Sequence, residues 1–542
     1  AMDDREVLLT RQEVTVAEHG DWAEVELYEA YQNQTWERQE VVYYFSLPES
    51  AVITGLWLGD SAERSERFAY RVSPRGAAQA VYRHEVRRRV DPALLEQIGP
   101  RQYRLRIFPV EPQRRDWDQD TNRMVVEDGP SLHMWLTYRV LIKIEEGGDV
   151  WPLPQLAEKR NVYWDDTSDR LVNGEPMAAD EETWLPPAVP ATSFVEPGIH
   201  RVDFPGGESV IARPASDEDL PAWPEDLHLA VVLDRSRSMA GRQAEVRAAL
   251  AQLRRIADSD TVVDVYLTAS EYHGEEPTLV ELSWLDLGSI TYAGGQNAAG
   301  LLAQFEALHA GQEYAAIFVF TDGSGYELGD GGFDVSVPGA PVWMVHLGDD
   351  LPLGYDDATL EAIQASGGGV AGDVREALTR LAVALEGEAY DVVDGYVWDV
   401  LPTEAADARD ALDGDFAPFA ARWLILAEMQ RHRGEINELE TLDYLHDVAV
   451  EYGVVTPYSS MIVLVNERQE KLLDELEARG DRFEREYERV GETEGQNALT
   501  VTGVPEPEEW LLLALAAVAL ALLYLYPRLS ARGTLFTKVS HH

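Results

Sequence analysis

The alternation of apolar and polar positions indicates strands in the first part of the chain. Between residue 5 and about residue 146, apolar and polar residues alternate in runs such as EVVYYFSLPESAVITGLWL and LHMWLTYRVLIKI. A period of two is typical of strands that bury one face, and turn residues separate these runs. One helical segment, from Arg75 to Gln97, interrupts the strands. We therefore predict a mostly β domain over residues 1–146.

From residue 227 the pattern changes to alternating strands and helices. Continuous apolar runs such as LHLAVVLD and AAIFVFTD alternate with helical runs such as AEVRAALAQLRRIA and NAAGLLAQFEALHA. This alternation indicates a parallel sheet covered by helices on both faces, a doubly wound, Rossmann-like α/β domain, which we predict over residues 226–390. Ligands of such sheets bind at the carboxyl ends of the strands, where Asp234 and Asp322 lie.

The segments around the α/β domain have mixed patterns. Residues 147–225 are rich in Pro and Trp and predict a linker with one small β element. Residues 391–468 combine short strands with two helical runs and predict a β/α region. We expect segments on both sides of the α/β domain to form one β-rich hub. The charged run over residues 469–503 predicts a solvated helix, a stalk that leads toward a membrane.

A long apolar run near the C-terminal end predicts a membrane anchor. Trp510 to Tyr526 are 17 residues without a charge, which as a helix span roughly 26 Å, with Trp and Tyr at the ends. Glutamates precede the run and basic residues follow it: Glu506, Glu508, Glu509, Arg528, Arg532 and Lys538. The positive-inside bias predicts a single-pass protein of the cell membrane, with its bulk outside and residues 533–542 in the cytoplasm.

Composition narrows the classes of function. The chain carries 97 acidic and 45 basic side chains, a net charge of −52, which argues against a nucleic-acid partner. It has no cysteine, so disulfides, thiolate catalysis and Cys-based zinc sites are excluded. The sequence contains no HExxH, G-x-S-x-G or Walker motif. We therefore predict that the protein is not an enzyme.

The run VVLDRSRSM carries the main candidate site. Asp234, Ser236 and Ser238 are alternate residues, so their side chains can converge on one point. Asp322, in VFTDG, ends another predicted strand of the same sheet. Carboxylate and hydroxyl oxygens suit Mg²⁺, Mn²⁺ or Ca²⁺. The alternative is that the run only caps the following helix.

Two further features have open interpretations. Arg235 and Arg237 alternate with the candidate ligands, and they either pair locally or face an anionic ligand. In DWDQDTNRMVVE, acidic residues occupy positions 1, 3, 5 and 12 of an EF-hand-like loop. These residues are Asp116, Asp118, Asp120 and Glu127. Thr121 stands where that loop requires glycine, so the run is either a Ca²⁺ site or a chance spacing in an acidic chain.

Two parts of the chain resemble known domains. The runs YYFSLPESAVITGLWL, GAAQAVY and RQYRLRIFPVEP resemble the VIT (vault protein/inter-alpha-trypsin) domain, which implies a β-sandwich-like fold over residues 1–146. The D-x-S-x-S run with Asp322 resembles the metal-ion-dependent adhesion site (MIDAS) of von Willebrand factor A domains. That resemblance implies one divalent cation, Mg²⁺ before Ca²⁺ or Mn²⁺, held by Asp234, Ser236, Ser238 and Asp322.

The loop that supplies a threonine in that family differs here. It reads Gly294-Gly295-Gln296-Asn297, with Gln296 in place of the threonine. Gln296 offers a carbonyl oxygen on a longer arm, and Thr291 lies five residues earlier. Either residue is a candidate replacement ligand.

The C-terminal part carries two more resemblances. Pro505-Glu506-Pro507, the apolar run and the basic end resemble the PEP-CTERM sorting signal of bacterial surface proteins, read by an exosortase, over residues 504–532. The run VEYGVVTPYSSMIVLVNE is similar to the stretch beyond the A domain in inter-alpha-trypsin inhibitor heavy chains. Together the resemblances span most of the chain.

These observations lead to one functional hypothesis and one alternative. We expect a membrane-anchored extracytoplasmic adhesion module that binds a carboxylate-bearing protein or surface polymer through a divalent cation. The alternative is a non-catalytic structural or accessory component of the exosortase surface-sorting system, with the A domain as scaffold. In that case any metal would be structural.

Overall fold

The computed structural model describes most of the chain up to residue 484. The described residues are 6–88, 92–118, 123–144, 148–177, 183–216, 226–256, 261–269, 276–323, 336–347, 357–386, 390–406, 411, 415–432 and 438–484. They belong to one compact unit, residues 1–491. The predicted sorting signal, the anchor over residues 510–526 and the tail over residues 533–542 lie outside the described residues. None of the helices in the described ranges is both long and apolar enough to span a bilayer.

The strands of the described residues are as follows: β1 (Val7–Glu18), β2 (Trp22–Asn33), β3 (Gln39–Ser46), β4 (Val52–Gly59), β5 (Phe68–Pro74), β6 (Ala93–Gln97), β7 (Gln102–Val110), β8 (Arg114–Asp118), β9 (Arg123–Glu127), β10 (Leu132–Leu141), β11 (Val150–Pro152), β12 (Gln155–Arg160), β13 (Val162–Tyr163), β14 (Asp169–Val172), β15 (Glu175–Pro176), β16 (Ala188–Pro190), β17 (His200–Asp203), β18 (Glu208–Pro214), β19 (His228–Leu233), β20 (Val262–Leu267), β21 (Thr278–Glu281), β22 (Ala316–Thr321), β23 (Val342–His346), β24 (Gly369–Ala371), β25 (Tyr390–Val393), β26 (Tyr396–Pro402) and β27 (Ser459–Val463).

The α-helices of the same ranges are α1 (Arg75–Arg88), α2 (Gln243–Ile256), α3 (Ala298–Leu308), α4 (Asp357–Ser366), α5 (Val374–Glu386), α6 (Ala417–Arg431), α7 (Leu439–Tyr452) and α8 (Glu467–Glu477). Short 3₁₀ turns cover Arg64–Glu66, Ser238–Arg242 and Leu282–Trp284.

The N-terminal domain is a large β-sheet whose strands follow the order β12-β3-β7-β6-β27-β5-β4-β10-β2-β1-β14-β15. Its long strands are antiparallel; in the first pair, Val14 lies opposite Leu27. These strands bury the residues on one of their faces, as the period of two predicts. Val14 of β1, Leu27 of β2 and Tyr43 of β3, for example, belong to one shared core.

The strand β27 reaches this sheet from the far end of the described chain. It lies between β5 and β6, where Met461 pairs with Val72 on one side and with Leu95 on the other. The next helix, α8, packs against α1 through a buried cluster that contains Leu473. Arg71 also binds Asp474 and Glu477 of α8. The predicted stalk therefore differs from the structure, because its first part is a helix docked on the N-terminal domain, and residues 485–503 are not described.

The Pro- and Trp-rich segment is part of the folded core and not a linker. Its strands β12, β13 and β14 extend the N-terminal sheet. Trp151 and Trp184 are buried in the core of that domain, and the indole N–H of Trp184 donates to Glu29 at 2.7 Å. Burial of these large rings explains the high Trp content of the segment.

A four-stranded antiparallel sheet joins the chain before and after the α/β domain. Its order is β17-β18-β26-β25, and we call it the hub sheet. Helix α6 packs on it, with the ring of Trp423 stacked 4.7 Å from that of Trp398. Segments on both sides of the α/β domain thus combine, as the patterns predict.

The α/β domain is built on a six-stranded sheet of order β21-β20-β19-β22-β23-β24. All neighbouring pairs are parallel except that of β20 with β21, which is antiparallel. Val231 faces a core formed with α2 and α5, whereas Val232 faces the opposite core, formed with α3 and α4. The chain runs from β19 out to β20 and returns on the other side at β22. The switch point therefore lies between β19 and β22.

The EF-hand-like run folds as a β-hairpin. Strands β8 and β9 pair antiparallel, with Arg114 opposite Glu127 and Asp116 opposite Val125. The run is therefore not an EF-hand, because an EF-hand loop wraps around its ion between two helices, whereas these positions lie in paired strands. Asp120 and Thr121 lie outside the described residues.

Candidate metal-binding site

The candidate site lies at the switch point of the α/β sheet. Asp234 directly follows β19, and Asp322 directly follows β22, its hydrogen-bonded neighbour. The backbone N–H of Asp234 donates to the carbonyl of Phe320 at 2.9 Å, which holds the two strand ends together. Parallel pairing thus brings together two carboxylates that are 88 positions apart in the sequence.

Neutral donors surround the carboxylate of Asp234, which is only 1 % exposed. Its Oδ1 accepts hydrogen bonds from the backbone N–H of Ser236 at 2.8 Å and from the Ser236 hydroxyl at 2.5 Å. Its Oδ2 accepts from the hydroxyl of Thr321 at 2.8 Å. These donors satisfy the carboxylate oxygens but supply no compensating positive charge.

The second half of the cluster is nearer the solvent. The hydroxyl of Ser238 is exposed and donates to Oδ1 of Asp322 at 3.2 Å. The structure therefore brings four of the predicted residues into one cluster. Asp234 and Ser236 are its buried members, and Asp322 and Ser238 are nearer the solvent.

Electrostatics distinguish this cluster from an ordinary polar turn. Burial raises the pKa of Asp234 to about 6, against the hydrogen bonds from Ser236 and Thr321, and the charge of Asp322 adds to the rise. Ionising Asp234 is costly because it lies in a dry position beside a second carboxylate. A cation bound between the two carboxylates would remove that cost.

The side chain of Gln296 faces away from the cluster. Its amide oxygen accepts from the hydroxyl of Thr268 at 2.6 Å, and its amide nitrogen donates to the carbonyl of Ala269 at 2.7 Å. Only its backbone N–H points to the site, donating to the hydroxyl of Ser236 at 3.0 Å. Its amide oxygen is thus committed to the residues that follow β20, so the expected ligand role of Gln296 does not fit this geometry.

Sequence reasoning missed Thr321. This residue ends β22 immediately before Asp322, and its hydroxyl also accepts from the backbone N–H of Gly323 at 2.9 Å. Its position at a strand end, beside the candidate ligand Asp322, could have identified it as a member of the site. The sequence does not show that its hydroxyl points to Asp234.

The capping interpretation also lacks support in the geometry. The residue at the N-cap of the 3₁₀ turn is Arg237, and its side chain makes no capping bond. The hydroxyls of Ser236 and Ser238 bind Asp234 and Asp322. The two serines therefore serve the carboxylates and not the start of the helix.

The two interleaved arginines behave differently. The guanidinium of Arg235 donates through Nε to the carbonyl of Thr268, and its backbone oxygen accepts from Ala293 at 2.8 Å. Arg237 is exposed on the rim of the site, with its backbone N–H bound to the carbonyl of Gly294. Arg235 thus has the local role, and Arg237 has its side chain in solvent.

The donor set fits a hard divalent cation. Two carboxylates and several hydroxyls offer only oxygen ligands, the kind that Mg²⁺ and Ca²⁺ prefer. Within the described part of the chain, no three His, Asp or Glu side chains come close enough to hold a metal. A cation here would therefore depend on hydroxyls, water and an outside ligand as well as on Asp234 and Asp322.

Comparison with known proteins identifies the N-terminal region. Residues 9–116 match the family described as the vault protein inter-alpha-trypsin domain. The N-terminal region carries a VIT domain. The match ends before β27, so the strand that completes the VIT sheet lies outside the matched residues.

Other comparisons add no functional argument. No curated protein matches the chain. Among solved structures, an exo-β-N-acetylglucosaminidase of Vibrio harveyi, in complex with N-acetylglucosamine, aligns at 11 % identity and a TM-score of 0.11. That alignment covers 73 % of this chain and 39 % of the enzyme. So low a TM-score supports no inference about this chain.

Proposed function

We propose that the protein is a non-enzymatic, membrane-anchored extracytoplasmic adhesion or protein-interaction module. Its α/β domain would be a von Willebrand factor A-like domain that holds one divalent cation through Asp234, Ser236, Ser238 and Asp322. A carboxylate of a protein or surface polymer would complete the coordination. The single observation that carries this proposal is the buried carboxylate of Asp234, at the sheet's switch point, beside a second carboxylate and among neutral donors.

Charge balance at Asp234 favours a bound cation. Burying an ionised carboxylate without a positive partner is costly, and hydrogen bonds from neutral groups offset only part of that cost. A divalent cation held by these residues would compensate Asp234 and Asp322 together, and Ser238 lies on the side from which an outside ligand would approach. Mg²⁺ is the first candidate, and Ca²⁺ and Mn²⁺ are the others.

Gln296 would act as a positioning residue in this scheme. Its amide ties the loop to Thr268 and Ala269, and its backbone N–H holds the hydroxyl of Ser236. A lone pair of that hydroxyl would then be fixed for the cation. The loop would be less able to move on ligand binding than one ending in a small side chain.

The VIT domain and the acidic surface support an interaction role. A net charge of −52 repels most anionic partners, so an acidic ligand would bind only where a cation overcomes the repulsion. The proposed anchor over residues 510–526 would hold the module at the membrane. The PEP-CTERM-like run would connect it with an exosortase.

One observation favours the second candidate, a non-catalytic component of the exosortase surface-sorting system. The side chain of Gln296 occupies the threonine position and is committed to Thr268 and Ala269. In that case the α/β domain would be a scaffold. It would need no exchangeable ligand.

Calorimetric titration of MgCl₂, MnCl₂ and CaCl₂ into the full chain tests the proposal. We expect one saturable binding event, which Asp234→Ala abolishes and Ser236→Ala weakens roughly tenfold. Asp169→Ala is the matched control, because it also removes one negative charge, from an exposed side chain that pairs with Arg11. Equal heats from the wild type and Asp234→Ala would mean that only the acidic surface attracts cations, and the scaffold candidate would then take the lead.

A further inference from the structure

The segment that leaves the candidate site is basic, although the chain is strongly acidic. Residues 234–255 contain six arginines against Asp234 and Glu245, a net charge of +4 in a chain of net charge −52. The arginines begin in the site itself, at Arg235 and Arg237, and continue into α2. This local reversal of charge needs an explanation, since Arg residues elsewhere in the fold pair with buried or surface carboxylates.

Two of these arginines face solvent near the cluster. Arg237 lies between Ser236 and Ser238 and is exposed. Arg247 is exposed on the second turn of α2. Helix α2 directly follows the 3₁₀ turn Ser238–Arg242, which begins at the candidate ligand Ser238, so Arg247 lies near the start of the helix that leaves the site.

The other arginines are engaged or farther away. Arg235 donates to the carbonyl of Thr268. Arg242 lies 3.7 Å from Glu245, in an i,i+3 pair. Arg254 donates to the carbonyl of Leu282 at 2.7 Å. Arg255 is exposed but lies two turns beyond Arg247. Arg237 and Arg247 are thus the exposed arginines nearest the site, and we call these two residues the arginine rim.

We propose that the arginine rim binds a second acidic group of the ligand, so that the partner presents a short polypeptide segment with two closely spaced Asp or Glu residues. This inference rests on the proposed function, because the first carboxylate binds the cation. Guanidinium groups bind carboxylates in a planar, two-bonded geometry. Carboxylates on flexible peptide side chains can meet a cation and a guanidinium in different orientations.

Charge also limits the length of the acidic segment. A long polyanion would extend beyond the rim onto the acidic remainder of the surface and be repelled. Side chains two residues apart in an extended peptide are about 7 Å apart and point to the same side. One would reach the cation and the other Arg237, which lies between two of the candidate ligands.

The test uses two labelled peptides on a neutral Gly/Ser background, one with Asp-Ser-Asp and one with Ser-Ser-Asp at its centre. Fluorescence polarisation with the full chain and saturating Mg²⁺ measures both affinities. We expect the two-acid peptide to bind about tenfold more tightly, and Arg237→Ala or Arg247→Ala to remove most of that difference. Arg255→Ala is the matched control, an exposed arginine two turns farther along α2.

The outcomes separate this inference from the proposed function. Peptides that bind equally well, with affinities that EDTA abolishes and Arg237→Ala leaves unchanged, would overturn the rim and leave the cation site intact. A preference that depends on Arg237 but persists in EDTA and in Asp234→Ala would support the rim and overturn the cation site. Two outcomes would overturn a polypeptide as the ligand. One is that a uronic acid oligosaccharide binds more tightly than the peptides and depends on the arginines. The other is that neither peptide binds although calorimetry shows bound Mg²⁺.

Discussion

Glu49 and Asp234 are two buried carboxylates in opposite surroundings. Glu49, between β3 and β4 of the VIT domain, is 5 % exposed, and Asp234 is 1 % exposed. Glu49 accepts two hydrogen bonds from Arg380, at 2.7 and 3.1 Å, and lies 3.6 Å from Arg101. Among the described residues, Asp234 accepts from two hydroxyls and a backbone N–H.

The two pKa values move in opposite directions for this reason. Burial raises the pKa of both carboxyl groups, but at Glu49 the charges of Arg380 and Arg101 outweigh burial and leave its pKa below the ordinary value. At Asp234 burial dominates, and the pKa rises to about 6. The chain balances the charge of Glu49 itself. Among the described residues, Asp234 forms no ion pair that would do the same.

The Glu49 cluster also has a structural position that the Asp234 cluster lacks. Arg380 of α5 binds both Glu49 and Asp391 of the hub sheet, and Arg101 of the VIT domain contacts Glu376 of α5. Three parts of the fold thus meet in one set of compensated charges. We interpret this cluster as a structural connection and the Asp234 cluster as a ligand site.

Breaking the compensated cluster should have the largest effect. Arg380→Met keeps much of the side-chain volume but leaves Glu49 and Asp391 with fewer positive partners. We expect a loss of roughly 3 to 5 kcal/mol in the free energy of unfolding, the range for a buried pair that loses one member. Urea unfolding of the full chain at pH 7, followed by circular dichroism and tryptophan fluorescence, measures it.

Arg64→Met provides the control for Arg380→Met. Arg64 pairs with Glu26 on the surface, and its side chain is 61 % exposed. We expect a loss of less than about 1 kcal/mol there. Equal losses for both variants would mean that the buried cluster does not connect the domains.

Removing the charge of Glu49 should have the next largest effect. Glu49→Gln keeps the shape but leaves Arg380 and Arg101 without their shared anion, and we expect a loss of roughly 2 to 3 kcal/mol at pH 7. Because the folded pKa of Glu49 is lowered, its contribution is present above the unfolded pKa of about 4.5 and is lost as the pH falls through the folded pKa. The gap between wild type and variant should therefore close at acidic pH in urea titrations, and a gap that widens there contradicts this account.

The same kind of change at Asp234 should act in the opposite direction. Between the ordinary pKa of 3.8 and about 6 the folded state binds more protons at Asp234 than the unfolded state does, so wild-type stability falls as the pH rises through that window. The Asp234→Asn variant has no carboxyl group there, so its stability does not fall with pH for this reason. Without divalent cations at pH 8, we expect it to be roughly 1 to 3 kcal/mol more stable than the wild type in urea unfolding.

Mg²⁺ sharpens the contrast between the two carboxylates. It should raise the melting temperature of the wild type but not that of Asp234→Asn. Asp169→Asn, which removes an exposed charge, should behave as the wild type does. Destabilisation by Asp234→Asn in the absence of cations would show that the carboxylate is already balanced within the chain.

Local patterns were sufficient for the parallel sheet and for the strand ends that carry the two aspartates. The apolar runs placed Asp234 and Asp322 at the ends of two strands, and the alternation of Asp234, Ser236 and Ser238 anticipated a shared cluster. Both features depend on neighbouring residues and on the rule for parallel sheets. The metal itself remains a prediction.

Long-range contacts were beyond the same reasoning. Arg380 and Glu49 are 331 positions apart, and no periodicity connects them. The insertion of β27 between β5 and β6 and the commitment of the Gln296 amide to Thr268 depend on how distant segments dock. Sequence patterns describe which face of an element is buried. They do not describe what it is buried against.

The smallest effect should come from the hydroxyl that sequence analysis missed. Thr321→Val keeps the shape of the side chain but removes the donor to Oδ2 of Asp234 and the acceptor for the N–H of Gly323. We expect a loss of about 1 kcal/mol in stability without cations. Mg²⁺ affinity, measured by calorimetry, should fall a few fold, because a carboxylate with one donor fewer is harder to ionise and less well oriented. Thr321→Ser keeps both hydrogen bonds and should match the wild type in both measurements. If Thr321→Ser, which keeps the hydroxyl, lowers the affinity as much as Thr321→Val does, the hydroxyl is not the cause, and Thr321 does not belong to the site.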